Sequence, residues 1–331
     1  MRRSTLVLLA VAAAVVVTAL VLRATDSEDP PAATTSTTLT TVAASTTTTV
    51  SPSTTTTLAA GVSVCDLYGE ISIQGTITSD DLVEASGLAV SRMNPGVFWS
   101  HNDSRGSATL YAFTEAGDDL GAYEVPGAFA LDWEDMSAGP GPDGDAGYLY
   151  VGDIGDNFDI RRGLLTVYRV PDSDPASLPG AFPESTALTY RFPDAGHNAE
   201  ALFTDPIGRA IYIVTKNRDA TDIFVGSLQP ASGPIDLEHV ATLFLDAEVS
   251  AADMTQDGTT LALRGYSTVW MWHRSTEQSI AEMLMSEPCN APSPDERQGE
   301  AIAFGADSSY WTISEGTHAD IHHVERLSAD S

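Results

Sequence analysis

Short apolar or alternating runs, separated by turn residues, dominate the chain from residue 69 onward. Residues 71–77 alternate apolar and polar side chains, which is typical of a strand with one buried face. Clusters of Gly, Pro, Asp and Asn divide the later runs, and none of them keeps the 3.6-residue period of a long helix. The pattern therefore predicts an all-β domain.

A five-residue word recurs five times along this region. Each copy has a polar residue first, a central residue third, a small or acidic residue fourth and an apolar residue fifth. The central residues are separated by 48, 66, 52 and 48 positions, and a strand-built repeat of this length is typical of a β-propeller blade. We call them the repeat-centre residues, and they are Ser86, Glu134, Glu200, Ala252 and Glu300.

The repeat predicts a five-bladed β-propeller, in which blade four ends in a strand at 280–285. Blade five has only three strands of its own. We therefore expect the N-terminal strand at 71–77 to pair as its outer strand and close the ring, which leaves short, protected edges. A six-bladed ring is the alternative, because residues 139–147 and 172–185 could hold further strands.

The chain contains two cysteines, Cys65 and Cys289. In an oxidising compartment an isolated pair is typical of a disulfide, since two thiolates cannot fill a zinc coordination sphere. Ring closure brings Cys65 toward the last blade, and Cys289 lies on the connection into that blade. The sequence thus predicts a disulfide, with two unpaired buried thiols as the alternative.

The first 60 residues are unsuited to a core. Residues 5–22 are apolar and uncharged, preceded by Arg2 and Arg3, which predicts a signal anchor or transmembrane helix over 1–24 with the N-terminus in the cytoplasm. Cleavage near residue 19 would instead give a secreted protein. Residues 25–60 are rich in Thr, Ser, Ala and Pro, which predicts a disordered linker, so the folded domain is expected at 61–331.

The formal net charge of -30 belongs to the folded domain, because the first 60 residues hold three arginines and three acids. Such a charge argues against nucleic acid as a partner, since phosphate backbones require Lys and Arg. An acidic surface concentrates cations, although it also simply keeps an exported protein soluble. We expect a monomer that meets the membrane through its N-terminal helix only.

In a propeller the first strand of each blade lines the central channel, so the repeat-centre residues should meet there. Glu134, Glu200 and Glu300 would repel one another and must be paired, protonated or bound to a metal. Ca²⁺ accepts six to eight oxygen ligands in flexible geometry, and Ser86 and Ala252 could add a hydroxyl or carbonyls. The sequence therefore predicts a Ca²⁺ site, with hydrated glutamates at the channel rim as the alternative.

The ends of the second strands form another predicted ring at the same mouth of the channel. Lys216 and Arg264 stand out in a domain poor in bases, and they could hold an anionic group. Asp103 or Asp153 could orient or deprotonate a water molecule. Structural salt bridges are the alternative. The predicted substrate-binding residues are His101, Asn102, Lys216, Arg264 and Glu315.

The repeat-centre residues resemble the ligands of the calcium-activated nucleotidase (apyrase) family, five-bladed propellers with an axial Ca²⁺. The resemblance extends to Leu-Tyr-Val-Gly at 149–152, an Asp-rich turn at 102–106 and the basic Arg264, and it covers residues 70–326 as scattered motifs. Ala252 departs from the family, which has Ser there. The resemblance implies hydrolysis of nucleoside di- or triphosphates. Phytase-like and lactonase-like propellers are a second likeness, also with axial calcium.

These observations predict an extracytoplasmic, membrane-tethered Ca²⁺-binding propeller that hydrolyses phosphoanhydride or phosphoester bonds of a small anionic substrate. The Gly-x-Ser-x-Gly motif and the phosphate-binding Gly-rich loop are both absent, which gives no support to a serine hydrolase or an ATPase. A propeller also serves binding, so the alternative is a non-catalytic module for a glycan, peptide or cell-envelope ligand.

Overall fold

The computed structural model describes residues 61–103, 106–144, 147–156 and 163–327. The predicted membrane segment at 5–22 and the linker at 25–60 lie outside these residues. Within the described ranges, no helix is both long and apolar enough to cross a bilayer.

The described residues form five sheets, each with four antiparallel blade strands, which confirms the five-bladed propeller. A strand β1 (Tyr68–Thr76) precedes blade one. Blades one and two contain β2 (Ala85–Val90), β3 (Val97–Asn102), β4 (Thr109–Thr114) and β5 (Asp119–Glu124), then β6 (Trp133–Pro140), β7 (Gly147–Asp153), β8 (Leu164–Pro171) and β9 (Thr186–Arg191).

The remaining blades continue the same up-and-down order. Blade three contains β10 (Ala199–Asp205), β11 (Ala210–Thr215), β12 (Thr221–Ser227) and β14 (Glu238–Leu243), while the short β13 (Ile235–Asp236) pairs with β9 of blade two. Blades four and five contain β15 (Ala251–Met254), β16 (Thr260–Arg264), β17 (Val269–His273) and β18 (Cys289–Ala291), then β19 (Gly299–Phe304), β20 (Tyr310–Ser314) and β21 (Asp320–Arg326).

The outer edge of blade five is β1, which pairs with β21 from Tyr68 opposite Arg326 to Thr76 opposite Asp320. Just before β1, a 3-10 helix at Val64–Leu67 places Cys65 beside blade four. The predicted disulfide is present, because the sulfurs of Cys65 and Cys289 are 2.07 Å apart. It joins positions 224 residues apart along the chain.

Two sequence expectations about blades two and four differ from the structure. Residues 172–185 form no blade: they carry a 3-10 helix at Pro175–Ser177, and Ala181 bridges to Glu124 at the edge of blade one. The segment predicted as a strand at 280–285 is instead a short helix, α1 (Ile280–Met283). Ser279 and Glu282 form a capping box there, which favours a helical turn over a strand.

The apolar core lies between neighbouring blades. Trp99 of blade one and Trp133 of blade two are both fully buried in one such layer. On the other side of blade one, Phe98 packs edge-on against Trp311 of blade five, with ring centroids 4.9 Å apart. Burial between blades holds the inner strands around a common channel.

Asp135 links three inner strands near the axis. Its side chain is fully buried, and Oδ2 accepts the N–H groups of Leu202 in blade three (2.9 Å) and Ala252 in blade four (3.0 Å). Oδ1 accepts the N–H of Met136 (2.8 Å). One carboxylate therefore satisfies three buried backbone donors, two of which belong to other blades.

Asp253 makes the corresponding link farther along the channel. Its Oδ2 accepts the N–H of Phe304 in blade five (2.8 Å), and its Oδ1 accepts the hydroxyl of Ser137 in blade two (3.1 Å). The two aspartates together connect the inner strands of four blades.

We expect Asp135→Ala to lower the free energy of unfolding by at least about 3 kcal/mol, because three buried N–H groups lose their acceptor. Guanidinium chloride unfolding measures the change. Asp236→Ala is the control, since that side chain is 76% exposed, and it should change stability by less than about 0.5 kcal/mol. Equal stability of the two variants would show that Asp135 does not hold the blades together.

Candidate functional site

A cavity of about 200 Å³ lies where the inner strands begin. We call it the axial cavity. Among the lining residues that the structure describes, six are acidic and one is basic. It is lined by Glu84, Ala85, Ser86, Asp103, Glu134, Glu200, Lys216, Tyr266, Gln298, Glu300 and Glu315.

A β-bulge turns the repeat-centre residue into this cavity in four of the five blades. In each, the pairing of the first two strands shifts at that residue, which is left without a partner in the ladder: this happens at Ser86, Glu134, Glu200 and Glu300. Bulges redirect side chains in this way beside functional sites. Blade four has no bulge, so Ala252 stays paired with Leu263 and fully buried, away from the cavity.

Glu134 is the most buried of the cavity acids, with 2% of its surface exposed. A Cβ on Gly155 would lie 2.0 Å from Glu134 Oε1, so this glycine leaves the space that the carboxylate fills. Burial raises the pKa of Glu134 far above its usual range, and the neighbouring Glu200, Asp103 and Asp132 raise it further. Its carboxyl also shares a hydrogen bond with Glu200.

Asp103, Asp132 and Glu134 form a tight cluster on this side of the cavity. One carboxylate oxygen from each lies within 4.8 Å of the others. Asp153, which was expected to contact water or substrate, lies behind the cluster and accepts the N–H of Asp132 (2.8 Å). Asp153 is thus placed to orient Asp132, while Asp103 lines the cavity itself.

Lys216 forms an ion pair with Glu200 in the cavity lining. Its Nζ lies 3.2 Å from Glu200 Oε2 and 5.7 Å from the ring centre of Tyr266. Burial by itself would lower the pKa of Lys216, but Glu200 and Tyr266 outweigh it and the pKa is raised. Lys216 is therefore a firmly charged ammonium. The second oxygen of Glu200 accepts the amide of Asn198 (3.1 Å).

Two predicted substrate-binding residues of blade one do not reach the cavity. His101 is fully buried and packs edge-on against Trp133, with ring centres 5.4 Å apart, and burial lowers its pKa to about 4. The Asn102 side chain accepts the N–H groups of Val83 (2.8 Å) and Glu84 (2.9 Å). It thus holds the loop that carries Glu84 into the cavity.

Arg264 is also absent from the cavity lining. It is fully buried, forms an ion pair with Glu296 and donates from Nη1 to the carbonyl of Ala301 (3.2 Å). The sequence left a structural salt bridge to Asp103, Asp153 or Glu315 as the alternative for this residue, and the structure shows such a bridge to Glu296 instead. Arg264 joins blade four to blade five. Glu315, by contrast, lines the cavity as expected.

The repeat itself carried a signal for some of the cavity residues that were missed. The first, polar position of the five-residue word is occupied by Glu84 in blade one and Gln298 in blade five, and both line the cavity. The same position gives Asp132, which has a carboxylate oxygen within 4.8 Å of one of Glu134, and Asn198, which donates to Glu200. Tyr266 had no such signal, because it lies in an irregular turn after β16.

No protein-family model and no curated protein matches this chain. Among solved structures, the chain is similar to a luciferin-regenerating enzyme, with 9% sequence identity and a TM-score of 0.44. The match covers 78% of this chain and 95% of that one. The sheet order and the cavity define the class of this protein: a five-bladed propeller with an acidic site at one end of its channel.

Glu300 should make stability depend on pH when no divalent cation is present. Its pKa is raised to about 7 by burial and by Glu200 and Glu315, with Lys216 acting in the opposite sense. The folded state then holds a proton that the unfolded chain releases at lower pH. This contribution is therefore fully present below the unfolded pKa and is lost as pH rises toward 7.

We expect Glu300→Gln to be more stable than the wild type at pH 8, and this difference should shrink at pH 5. Melting temperatures measured in EDTA at both pH values test it. Glu238→Gln, an exposed glutamate on β14, should differ from the wild type equally at both. A pH-independent difference for Glu300→Gln would contradict the expectation.

Proposed function

We propose that this propeller binds Ca²⁺ in the axial cavity. The observation that carries the proposal is the set of four bulges, which aim Ser86, Glu134, Glu200 and Glu300 into one acidic cavity. Carboxylates crowded in this way require a counter-charge. The single lysine among the described lining residues leaves most of that charge unbalanced.

The donor set fits a hard cation. All of the anionic donors are carboxylates, and Ca²⁺ accepts such oxygens at variable angles, whereas Mg²⁺ requires near-octahedral geometry and retains water. Among the lining residues that the structure describes, no Cys or His is present for zinc. The cluster of Asp103, Asp132 and Glu134, together with Glu200 and Glu300, would hold the ion.

Two repeat-centre residues modify this proposal. The Ser86 hydroxyl donates to the carbonyl of Glu134 (2.5 Å), which leaves its lone pairs to accept an ion. Ala252 brings no side-chain oxygen and its N–H is held by Asp135. The ligands of the ion would therefore come from blades one, two, three and five, and the repeat-centre residue of blade four would contribute none.

Calcium should raise the melting temperature of the wild type and bind with a measurable heat. Glu134→Gln removes the most buried carboxylate of the cavity. We therefore expect isothermal titration calorimetry to give a calcium dissociation constant at least about tenfold larger than that of the wild type. The control is Glu124→Gln, on the outer strand of blade one, which should bind like the wild type. A wild type that neither binds nor is stabilised by calcium would exclude the site.

We further propose that the loaded site hydrolyses a phosphoanhydride or phosphoester bond. A bound Ca²⁺ would polarise phosphoryl oxygens. Lys216 would contact the same anionic group, and Asp103 would position the attacking water. Support comes from the placement of a charged lysine within hydrogen-bonding distance of a cavity glutamate, because an anion needs a fixed positive group to enter this acidic site.

Phosphate release from a panel of nucleotides and simple phosphate esters, with and without Ca²⁺, tests the chemistry. We expect calcium-dependent turnover that falls at least about a hundredfold in Lys216→Met, since a charge-assisted contact to the transition state is lost. Arg218→Gln, which changes an exposed base two residues away, is the matched control. Full activity in Lys216→Met would rule out its role.

A non-catalytic binding module is the second candidate, and calcium binding without turnover on the whole panel would favour it. In that case the ion would stiffen the mouth of the channel for a glycan, peptide or envelope ligand. For either function we propose an extracytoplasmic location, tethered through the segment at 5–22 or secreted after cleavage. The Cys65–Cys289 disulfide supports an oxidising compartment.

A further inference from the structure

Arg92 lies at the opposite end of the channel from the axial cavity, in the turn between β2 and β3. The carboxylate of Asp172 holds this turn. Its Oδ2 accepts the N–H groups of Arg92 (2.7 Å) and Met93 (3.1 Å), and its Oδ1 accepts the hydroxyl of Ser91 (2.7 Å). The backbone of Arg92 is thus fixed, while its side chain is left for other contacts.

The guanidinium of Arg92 has no hydrogen-bond or ion-pair partner among the residues that the structure describes. Its Nε is buried and unsatisfied. Asp253 and Asp172 act on it electrostatically, but their oxygens already accept other donors. Burial lowers the pKa of Arg92, and the two aspartates offset that effect only in part. Arg92 is half-buried, and a guanidinium held partly out of water with no hydrogen-bonding partner among the described residues is suited to an anion.

The Arg92 side chain lines a cavity of about 250 Å³ between blades one and five. We call it the distal cavity. Val90, Pro95 and Trp311 contribute apolar surface to it, whereas Glu115 and Asp307 contribute negative charge. The Oδ1 atom of Asp307 also accepts the N–H and the hydroxyl of Ser309. Arg92 is the one basic residue among the described residues of this lining.

We propose that the distal cavity binds a small monocarboxylic acid with a compact apolar body, whose carboxylate contacts the Arg92 guanidinium. The planar guanidinium matches the two carboxylate oxygens as a bidentate pair. Val90, Pro95 and Trp311 supply apolar surface for the body of the acid. Glu115 and Asp307 repel any anion, and they repel a dicarboxylate or phosphate more strongly than a monocarboxylate because it carries more charge. This site is independent of the calcium proposal.

Benzoate is the probe, and isothermal titration calorimetry on the full-length protein measures its dissociation constant. We expect saturable binding to the wild type and at least about tenfold weaker binding to Arg92→Gln. Arg92→Lys should show an intermediate loss of affinity, because it keeps the positive charge but not the paired N–H donors of the guanidinium. Benzamide, which has no charge, and phthalate, which has two, should each bind more weakly than benzoate. Arg297→Gln, an exposed arginine elsewhere, is the control variant.

The Trp311 indole resonance gives a second readout, and benzoate should shift it while leaving unchanged that of Trp272, which is buried in the core between blades three and four. If Arg92→Gln fails to fold by circular dichroism, the comparison of benzoate with benzamide and the Trp311 signal decide the question on the wild type alone. The proposal is overturned by the absence of saturable benzoate binding, by equal binding of benzamide, or by unchanged affinity in a folded Arg92→Gln.

Discussion

The buried carboxylate of Asp135 is the contact on which the arrangement of the channel depends. It binds backbone N–H groups of blades two, three and four at once, so the inner strands of these blades cannot shift independently. A buried carboxylate is tolerated only where its oxygens are satisfied, as these are. Glu134 directly precedes Asp135 and is the bulged residue. Its side chain lies in the cavity lining, whereas the side chain of Asp135 is buried in the core. The geometry of the acidic site thus follows from the fixed position of its neighbour.

The bulges explain why a repeat of five gives a site built from four blades. A side chain left out of the ladder points into the axial cavity, whereas a paired residue remains in the sheet. Blade four pairs Ala252 regularly with Leu263, and its N–H completes the bonding of Asp135. The loss of an acidic or hydroxyl side chain there coincides with the loss of the bulge. Blade four therefore supports the structure of the site while its neighbours supply the oxygen atoms.

The sequence repeat predicted the positions of residues that recur in each blade, but not those of residues set by irregular connections. The spacing of Glu134, Glu200 and Glu300 was sufficient to place them together, because equivalent positions of successive blades meet around a channel. Arg264 also occupies an equivalent strand end, but its direction is decided by Glu296, which lies on an irregular connection that no repeat describes. The helix at Ile280–Met283 was missed for a local reason, since the capping pair around it outweighs a short apolar run.

The two ends of the channel differ in how their charges are balanced, and the aspartates between them show the difference. The side chains of Asp135 and Asp253 are both buried, and burial raises the pKa of each. Asp253 reaches only about 6, because the Phe304 N–H and the charge of Arg92 stabilise its ionised form. The ionised form of Asp135 is stabilised by backbone N–H groups rather than by an arginine. Its pKa is raised well above the usual range. The field of Arg92 therefore extends into the channel, so an anion bound beside it would raise the pKa of Asp253 further.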